Sequence, residues 1–257
     1  MSDHGRFIWY ELMTPDIEGA IAFYGSVAGW TATRMPGEDM EYWVLEADGA
    51  GVGGVMRLGE EHKAQGIPPN WTGYVAVDDC DAAAAKFRSL GGSVMREPQD
   101  IPGIGRFAIV ADPAGAVLAI MKPIPPEGSR PEPAEGALGH TGWHELYSGP
   151  TDTTFAFYSA VFGWTKDEAH DMGPMGTYQL FSNQDGQVGG MMQKPDQVPA
   201  PCWLFYIRVG DIDAAAARVK AGGGEVMNGP MVVPSGDWIL QGLDPQGAMF
   251  CLTGKKG

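Results

Sequence analysis

Cysteine, basic residues and long apolar runs are all scarce in this chain, and each scarcity excludes a class of protein. Three cysteines among 257 residues, without a Cys-x-x-Cys pair, argue against a disulfide framework and predict a reduced, cytoplasmic chain. No stretch reaches the roughly 18 apolar residues of a transmembrane helix, and the start lacks the pattern of a secretory signal. Lys and Arg number 17 against 32 Asp and Glu, so the net charge of −15 disfavours nucleic acid and anionic membranes as partners.

The chain contains an internal repeat that covers nearly its whole length. The segment IWYELMTPDIEGAIAFYGSVAGW matches GWHELYSGPTDTTFAFYSAVFGW, and WTGYVAVDDCDAAAAKFRSLGG matches WLFYIRVGDIDAAAARVKAGGG. Five prolines between residues 123 and 133 predict an extended, semi-rigid connection between the copies. We therefore expect one domain over residues 1–122, a Pro-rich linker over 123–139, and a second domain over 140–257.

Each copy contains the same pattern of strands and helices twice. A β-rich run, Phe7–Met13, is followed by Asp16, which can cap a helix with apolar residues at helical spacing. Asp79, Thr151-Asp152 and Asp211 precede three further helices, and short β-like runs follow each helix. The pattern is βαβββ four times over, which predicts an α+β fold with antiparallel or mixed sheets.

These features together resemble the vicinal oxygen chelate superfamily, which includes glyoxalase I, bleomycin-resistance proteins and extradiol dioxygenases. The resemblance is carried by ELMTPDIEGAIAFYGSVAGW, by the VDD sequence with its Ala-rich helix ending in Gly-Gly, and by the DPAG turn. Both copies carry all three, and the tandem arrangement is similar to the double-domain glyoxalase-like proteins of bacteria. The resemblance implies two tandem glyoxalase-like domains, each built from two paired βαβββ modules that form a curved sheet with a cup.

The resemblance also implies three slots in each copy for ligands of a divalent metal. They fall at or near Trp9, Asn70 and Ala119 in the first copy, and Trp143, Cys202 and Cys251 in the second. Trp and Ala cannot bind a metal, and Asn is a weak ligand for transition metals, so we expect the first copy to be metal-free.

The second copy leaves two readings of its metal slots open. If the first strand slips by one residue, His144 joins Cys202 and Cys251 as a possible zinc set. Alternatively, the two cysteines are small core residues and His144 points towards the helices.

Strand alternation predicts which side chains line the cups. If Trp9 faces the cup, alternation predicts that Glu11 also faces it. In the same way, Trp143 and Glu145 should both face the cup of the second copy. The predicted ligand-binding residues are Trp9, Glu11, Tyr74, Trp143, Glu145, Tyr206 and Arg208. Glu11 and Glu145 are candidates for hydrogen bonding to a ligand or for general base catalysis, unless they pair with Arg208 or with backbone donors.

An aromatic set adds to this lining, although part of it can equally belong to the core. It consists of Trp9, Tyr42, Trp43, Trp71, Trp143, Tyr178 and Trp203. The Gly-Gly pairs of VGGVM and VGGMM are interpreted as sites of sheet curvature or of close ligand approach.

Three functions are compatible with this sequence. The first is a metal-free protein that binds a small organic molecule for resistance, sequestration or sensing, as a monomer or a homodimer. The second is a metal-dependent lyase or isomerase of the glyoxalase type that acts from the second domain. The third is metal-independent acid–base catalysis by Glu11 or Glu145. The empty metal slots of the first copy favour the first function, with no cofactor.

Overall fold

The computed structural model describes residues 2–36, 41–124 and 136–257, and it contains one eight-stranded sheet in each copy of the repeat. The elements of the first copy are β1 (Phe7–Thr14), α1 (Ile17–Ala28), β2 (Thr31–Arg34), β3 (Tyr42–Ala47), β4 (Ala50–Arg57), α2 (Glu60–Ala64), β5 (Asn70–Ala76), α3 (Cys80–Ser89), β6 (Ser93–Ile101), β7 (Gly105–Ala111) and β8 (Val117–Pro123). Those of the second copy are β9 (Thr141–Ser148), α4 (Thr151–Phe162), β10 (Thr165–Asp171), β11 (Thr177–Asn183), β12 (Gly186–Gln193), β13 (Cys202–Asp211), α5 (Ile212–Ala221), β14 (Glu225–Val232), β15 (Trp238–Leu243) and β16 (Met249–Lys255).

The two sheets have the same topology. The strand order is β2-β3-β4-β1-β5-β8-β7-β6 in the first and β10-β11-β12-β9-β13-β16-β15-β14 in the second. In each βαβββ module the first and last strands pair in parallel, and the other neighbours within the module are antiparallel. The α+β fold predicted from the repeat, with two tandem domains and mixed sheets, is confirmed.

The helices begin largely where the sequence predicts. The Asp16 carboxylate accepts from the Gly19 N–H at the start of α1, and Asp79 and Asp211 cap α3 and α5 in the same way. The predicted cap of α4 at Thr151-Asp152 is wrong, because Pro150 takes the cap position and no side chain bonds there. Both residues lie inside the helix, where proline at the preceding position fixes φ without supplying a side-chain acceptor.

Alternate residues of each strand face either the helices or the opposite side of the sheet, here called the inner face. On β1, Leu12 is fully buried in the same core as Ile17 of α1. Trp9 and Glu11 have the opposite parity and therefore lie on the inner face. On β13, Ile207 belongs to this core, which turns Tyr206 and Arg208 to the inner face.

Contacts between Cα atoms divide the chain into two compact units that do not coincide with the two copies. Unit 1 comprises Met1–Ile8, Thr72–Pro131 and His144–Trp203, and unit 2 comprises Trp9–Trp71, Glu132–Trp143 and Leu204–Gly257. Each unit therefore contains one module from each copy. The predicted boundaries at residues 122 and 140 stay a prediction, and most of the predicted linker lies outside the described residues.

A buried tyrosine–aspartate hydrogen bond joins the two copies inside unit 2. The Tyr24 hydroxyl of the first copy donates to Asp244 Oδ2 of the second at 3.0 Å, and Trp71 Nε1 donates to the Tyr24 oxygen at 2.8 Å. The other Asp244 oxygen accepts from the Gln246 and Ala248 N–H groups, so the buried carboxylate is well satisfied. Burial raises the pKa of Asp244, and these hydrogen bonds counteract that shift.

Unit 1 contains the reciprocal bond. The Tyr158 hydroxyl of the second copy donates to Asp112 Oδ2 of the first at 3.2 Å, and Trp203 Nε1 donates to the Tyr158 oxygen at 3.3 Å. Ser148 Oγ also donates to the same carboxylate oxygen. The Tyr, Trp and Asp-Pro-x-Gly residues that reveal the repeat therefore connect one copy to the other.

Among the described residues, none of the helices is both long enough and apolar enough to span a membrane.

Candidate functional site

A tyrosine links two of the predicted inner-face residues of the first copy. The indole Nε1 of Trp9 donates to the Tyr42 hydroxyl oxygen at 2.8 Å, and the Tyr42 hydroxyl is hydrogen-bonded to Glu11. Burial and the charge of Glu11 raise the pKa of Tyr42, so its hydroxyl is protonated and donates to the carboxylate. The three side chains form a chain of hydrogen bonds that ends at the Glu11 carboxylate.

Glycine makes this arrangement sterically possible. Gly54 of β4 pairs with Glu11 on one side and with Val44 on the other. A Cβ added at Gly54 would lie 2.0 Å from the Tyr42 hydroxyl oxygen, because the phenol crosses β4 at this residue. The glycine pair interpreted as a site of curvature therefore makes room for the side chain that binds Glu11.

In the second copy, within unit 1, a tyrosine likewise crosses a strand at a glycine. Gly190 pairs with Glu145, and a Cβ at Gly190 would lie 2.3 Å from the Tyr178 ring. Glu145 is more enclosed than Glu11, with 8% of its surface exposed. Burial raises the pKa of the Cys202 thiol to about 11, and the charge of Glu145 adds to this effect. Cys202 is therefore a neutral thiol at physiological pH.

Tyr206 belongs to a row of neutral polar groups on the inner face of β13–β16. Gln241 Nε2 donates to the Tyr206 hydroxyl at 2.7 Å, and Asn228 Nδ2 donates to Gln241 Oε1 at 3.3 Å. Cys251 lies between Tyr206 and Gln241 in the strand register. This row can bind a carbonyl or hydroxyl oxygen through amide and hydroxyl groups.

Arg208 of β13 lies against a glycine of β9 within unit 2. Its Nη2 approaches the Gly142 carbonyl at 3.4 Å, and in the described part of the chain it is in no salt bridge. A Cβ at Gly142 would lie 2.2 Å from Arg208 Nε, so the arginine crosses β9 at a glycine. The pairing of Glu145 with Arg208 stays a prediction, because the two residues belong to different units.

The aromatic set divides between the inner faces and the core. Tyr74 lies on the inner face of unit 1, 4% exposed, with its ring 6.3 Å from that of Phe107. Trp71 and Trp203 instead donate to buried tyrosines on the helix side, and Trp43 packs against the core of unit 2. These last three are structural residues.

His144 faces the helix side of β9, as one of the two readings predicts. Its Nδ1 is 2.7 Å from the Val188 carbonyl, and its ring stacks on Phe7 with centroids 3.9 Å apart and an interplanar angle of 11°. Burial lowers the pKa of His144 to about 4, against the opposing effect of the Val188 bond. Trp143 and Glu145 alternate with His144 and therefore lie on the inner face. The strand has the register predicted without a one-residue shift.

The side chains at the slots of the family metal do not fit a metal ion. Trp9 uses its only polar atom to donate to Tyr42, and Ala119 is fully buried without any donor atom. In the part of the chain that the structure describes, no three His, Cys, Asp or Glu side chains come together as a possible metal site. The candidate zinc set of His144, Cys202 and Cys251 is accordingly not assembled.

Sequence reasoning missed Tyr42 and Gln241 as polar partners of the predicted site residues. Tyr42 appeared only as one aromatic residue among seven, since its bond to Glu11 crosses an intervening strand. A detectable signal is Gly54, which pairs with Glu11 in the parallel register of β1 and β4. Gln241 gave no comparable signal, because its partner lies two strands away.

Comparison with known proteins identifies relatives along the entire chain. The family described as Glyoxalase/Bleomycin resistance protein/Dioxygenase superfamily matches residues 6–120 and again 137–252. "Putative glyoxylase CFP32" of Mycobacterium tuberculosis (strain CDC 1551 / Oshkosh) is 33% identical over 244 residues, 94% of this chain and 92% of the relative. "Anthracycline biosynthesis protein DnrV" of Streptomyces peucetius is 32% identical over 267 residues, 97% of this chain and 93% of that protein.

Solved structures share the fold at lower identity. The Mn(II)-bound glyoxalase from Novosphingobium aromaticivorans has a TM-score of 0.65 at 19% identity, with 100% of this chain and 83% of that one covered. The 2,2',3-trihydroxybiphenyl 1,2-dioxygenase from Sphingomonas wittichii strain RW1 has a TM-score of 0.67 at 16% identity, with 99% and 91% covered. At these identities the similarity extends to the fold alone.

Proposed function

The chain belongs to the Glyoxalase/Bleomycin resistance protein/Dioxygenase superfamily, and on that premise we propose that it binds a small, flat aromatic molecule without a metal ion. The binding groups are the inner-face residues of each domain, and the role is resistance, sequestration or sensing. The three cysteines are free, which agrees with the cytoplasmic location that forms part of the proposal. That the protein is a monomer or a homodimer stays a prediction.

The observation that carries the proposal is the Trp9–Tyr42–Glu11 chain. An indole and a phenol provide flat apolar area, and the carboxylate next to them can accept a hydrogen bond from a ligand hydroxyl or amide. The position where the superfamily enzymes carry a metal ligand is Trp9 here, so a group able to stack on a ring replaces a metal-binding group.

The names of two relatives suggest the class of ligand. The DnrV and DauV proteins, each 32% identical to this chain, are named for anthracycline biosynthesis. An anthracycline is a flat polycyclic aromatic molecule with carbonyl and hydroxyl groups, which aromatic side chains and a hydrogen-bonding carboxylate would suit. We therefore include polycyclic aromatic molecules of this type in the proposed ligand class.

Acid–base catalysis by Glu11 is the weaker candidate. The Glu11 carboxylate already accepts a hydrogen bond from the Tyr42 hydroxyl in the absence of a ligand. Glu145, enclosed next to Cys202, is the better placed carboxylate for such chemistry. A binding protein should return its ligand unchanged, and recovery of the ligand by chromatography after binding distinguishes the two functions.

Binding can be tested with the neutral probe 2-naphthamide. Titration should quench tryptophan fluorescence, and calorimetry should give a dissociation constant. Glu11→Gln should change that constant about five- to 150-fold, since losing one partner of a ligand hydrogen bond typically costs about 1–3 kcal/mol. Glu18→Gln, on the exposed side of α1, is the matched control and should bind as the wild type does.

Elemental analysis of protein purified without a His-tag tests the metal-free part of the proposal. We expect less than about 0.1 metal ion per chain, because a catalytic or structural site retains its metal through chelator-free purification. Stoichiometric zinc, nickel or iron that is lost in Cys251→Ala would contradict the proposal and favour the metal-dependent lyase. Absence of any probe binding would contradict the binding function itself.

A further inference from the structure

Three side chains form a cationic cluster on the inner face of β6 and β7, in unit 1. The Arg96 guanidinium carbon lies 5.2 Å from the centre of the Phe107 ring. With its amide oxygen turned towards Arg96, Gln99 accepts from Nη2 at 2.7 Å and from Nε at 3.0 Å. Phe107 alternates with the fully buried Ala108, which faces the helix side, so the cluster belongs to the inner face. We call these residues the Arg96 cluster.

Arg96 has no carboxylate partner in the described part of the chain, although acidic residues outnumber basic ones 32 to 17. The acidic residues nearest to it in sequence are engaged elsewhere. Glu97 pairs with Arg88 of α3, and Asp100 pairs with Arg106 at 3.1 Å. These two ion pairs therefore leave Arg96 uncompensated. On the inner face, its guanidinium contacts the Phe107 ring and the Gln99 amide.

The geometry leaves the guanidinium able to bind an anion. It carries five N–H donors, of which two point at Gln99. The contact with Phe107 and the two bonds to Gln99 restrain the group, and a planar, restrained guanidinium is well suited to a carboxylate through two parallel hydrogen bonds. Arg96 is exposed, so its guanidinium can also contact the ring of an aromatic ligand.

The second copy has different chemistry at the equivalent positions. Trp71 and Trp203 are 132 residues apart, and the same offset places Asn228, Met231 and Ile239 at the positions of Arg96, Gln99 and Phe107. Asn228 bonds to Gln241, in the neutral row that ends at Tyr206. This part of the second domain therefore offers amides and hydroxyls where the first offers a cation.

We propose that the Arg96 cluster binds a carboxylate group carried by an aromatic ligand, so that the first domain takes acidic aromatic molecules as well as neutral ones and the second takes neutral ones. The inference rests on the proposed binding function and names the ligand class of each domain. In an acidic protein that repels free anions, an aromatic ring and a local cation together select for ligands that carry both groups.

The test compares 2-naphthoate with its neutral analogue 2-naphthamide by calorimetry on the full-length chain. Arg96→Gln should weaken binding of naphthoate about 10- to 100-fold, since a charge-assisted hydrogen bond is lost, and should leave naphthamide unaffected. Arg96→Lys should recover only part of the affinity, because lysine keeps the charge but not the planar donors. Lys86→Gln removes an exposed cation of α3 that lies outside the Arg96 cluster, and this matched control should bind naphthoate like the wild type.

The outcomes separate this inference from the proposed function. If both probes bind equally well and Arg96→Gln changes neither, the carboxylate site is refuted while the binding function stands. If Arg96→Gln weakens both probes equally without changing the melting temperature, the charge is not what the ligand recognises, and the inference is again refuted. If neither probe binds the wild type, the proposed function fails first.

Discussion

The buried histidine of β9 gives this protein a pH-dependent stability that can be measured directly. His144 is 7% exposed, its ring is stacked on Phe7, and its Nδ1–H donates to the Val188 carbonyl. Burial lowers its pKa to about 4, so the imidazole is neutral in the folded protein where an unfolded chain would already be protonated. The folded state therefore binds fewer protons than the unfolded state as the solution becomes acidic.

The size of the effect follows from the two pKa values. An unfolded histidine has a pKa of about 6.5, and a difference of 2.5 units corresponds to about 3 kcal/mol of stability. This stability is fully present above pH 6.5 and is lost as the pH falls through 4. At pH 5, where the unfolded chain is mostly protonated and the folded chain mostly neutral, about 2 kcal/mol should already be lost.

Urea unfolding at pH 7.5 and pH 5, followed by tryptophan fluorescence, measures this loss. His144→Asn keeps a side-chain N–H donor and removes the titration, so its stability should fall by about 2 kcal/mol less than that of the wild type between the two pH values. His170→Asn, on the edge strand β10, should keep the dependence of the wild type. Equal losses in the wild type and His144→Asn would refute the reasoning, as would an imidazole that titrates near pH 6.5 by NMR.

Three further predictions concern packing, hydrogen bonding and reactivity. Gly54→Ala should displace the tyrosine that crosses β4 and cost about 1–3 kcal/mol by chemical denaturation, whereas Gly210→Ala, with no atom nearer than 4.0 Å, should cost far less. Tyr24→Phe should destabilise the protein by about 1–3 kcal/mol at pH 7 by leaving Asp244 short of a buried donor, and the loss should shrink in acid as the carboxyl is protonated. Alkylation of Cys202, followed by peptide mass spectrometry, should be roughly 100-fold slower at pH 8 than that of a free cysteine, and should accelerate with pH.

The fold was predictable because local signals and the repeat support each other. Asp16, Asp79 and Asp211 precede their helices as capping residues, and each cap is found in the structure. Alternation along β1 and β13 placed Glu11 and Tyr206 correctly, since a strand has a strict period of two. The segments that make up each compact unit were not predictable, because they depend on contacts between side chains more than 200 residues apart, such as Tyr24 and Asp244 of unit 2.

The placement of the candidate site residues on the inner face was predictable, but the hydrogen bonds between them were not. Trp9 and Glu11 were identified from their parity, yet the side chain that links them comes from a strand that is not adjacent to β1. The ion pair between Arg208 and Glu145 was inferred from charge alone. Charge does not reveal that Gly142 lets the arginine lie across β9. Side-chain hydrogen bonds that cross a neighbouring strand at a glycine leave no periodic pattern in the sequence. They can be identified only once the strand register is known.

The residues that the two copies share and the residues at which they differ indicate different properties of the protein. The residues that the copies share, such as Tyr24 and Tyr158, make buried hydrogen bonds that connect one copy to the other, so their repetition reflects stability. The positions at which the copies differ on their inner faces include Arg96 against Asn228, a change from a cation to a neutral amide. A substitution of this kind on the inner face of an edge strand gains nothing for the core, because neither side chain is part of it. The residues that determine ligand selectivity are therefore expected at the inner-face positions that differ between the two copies.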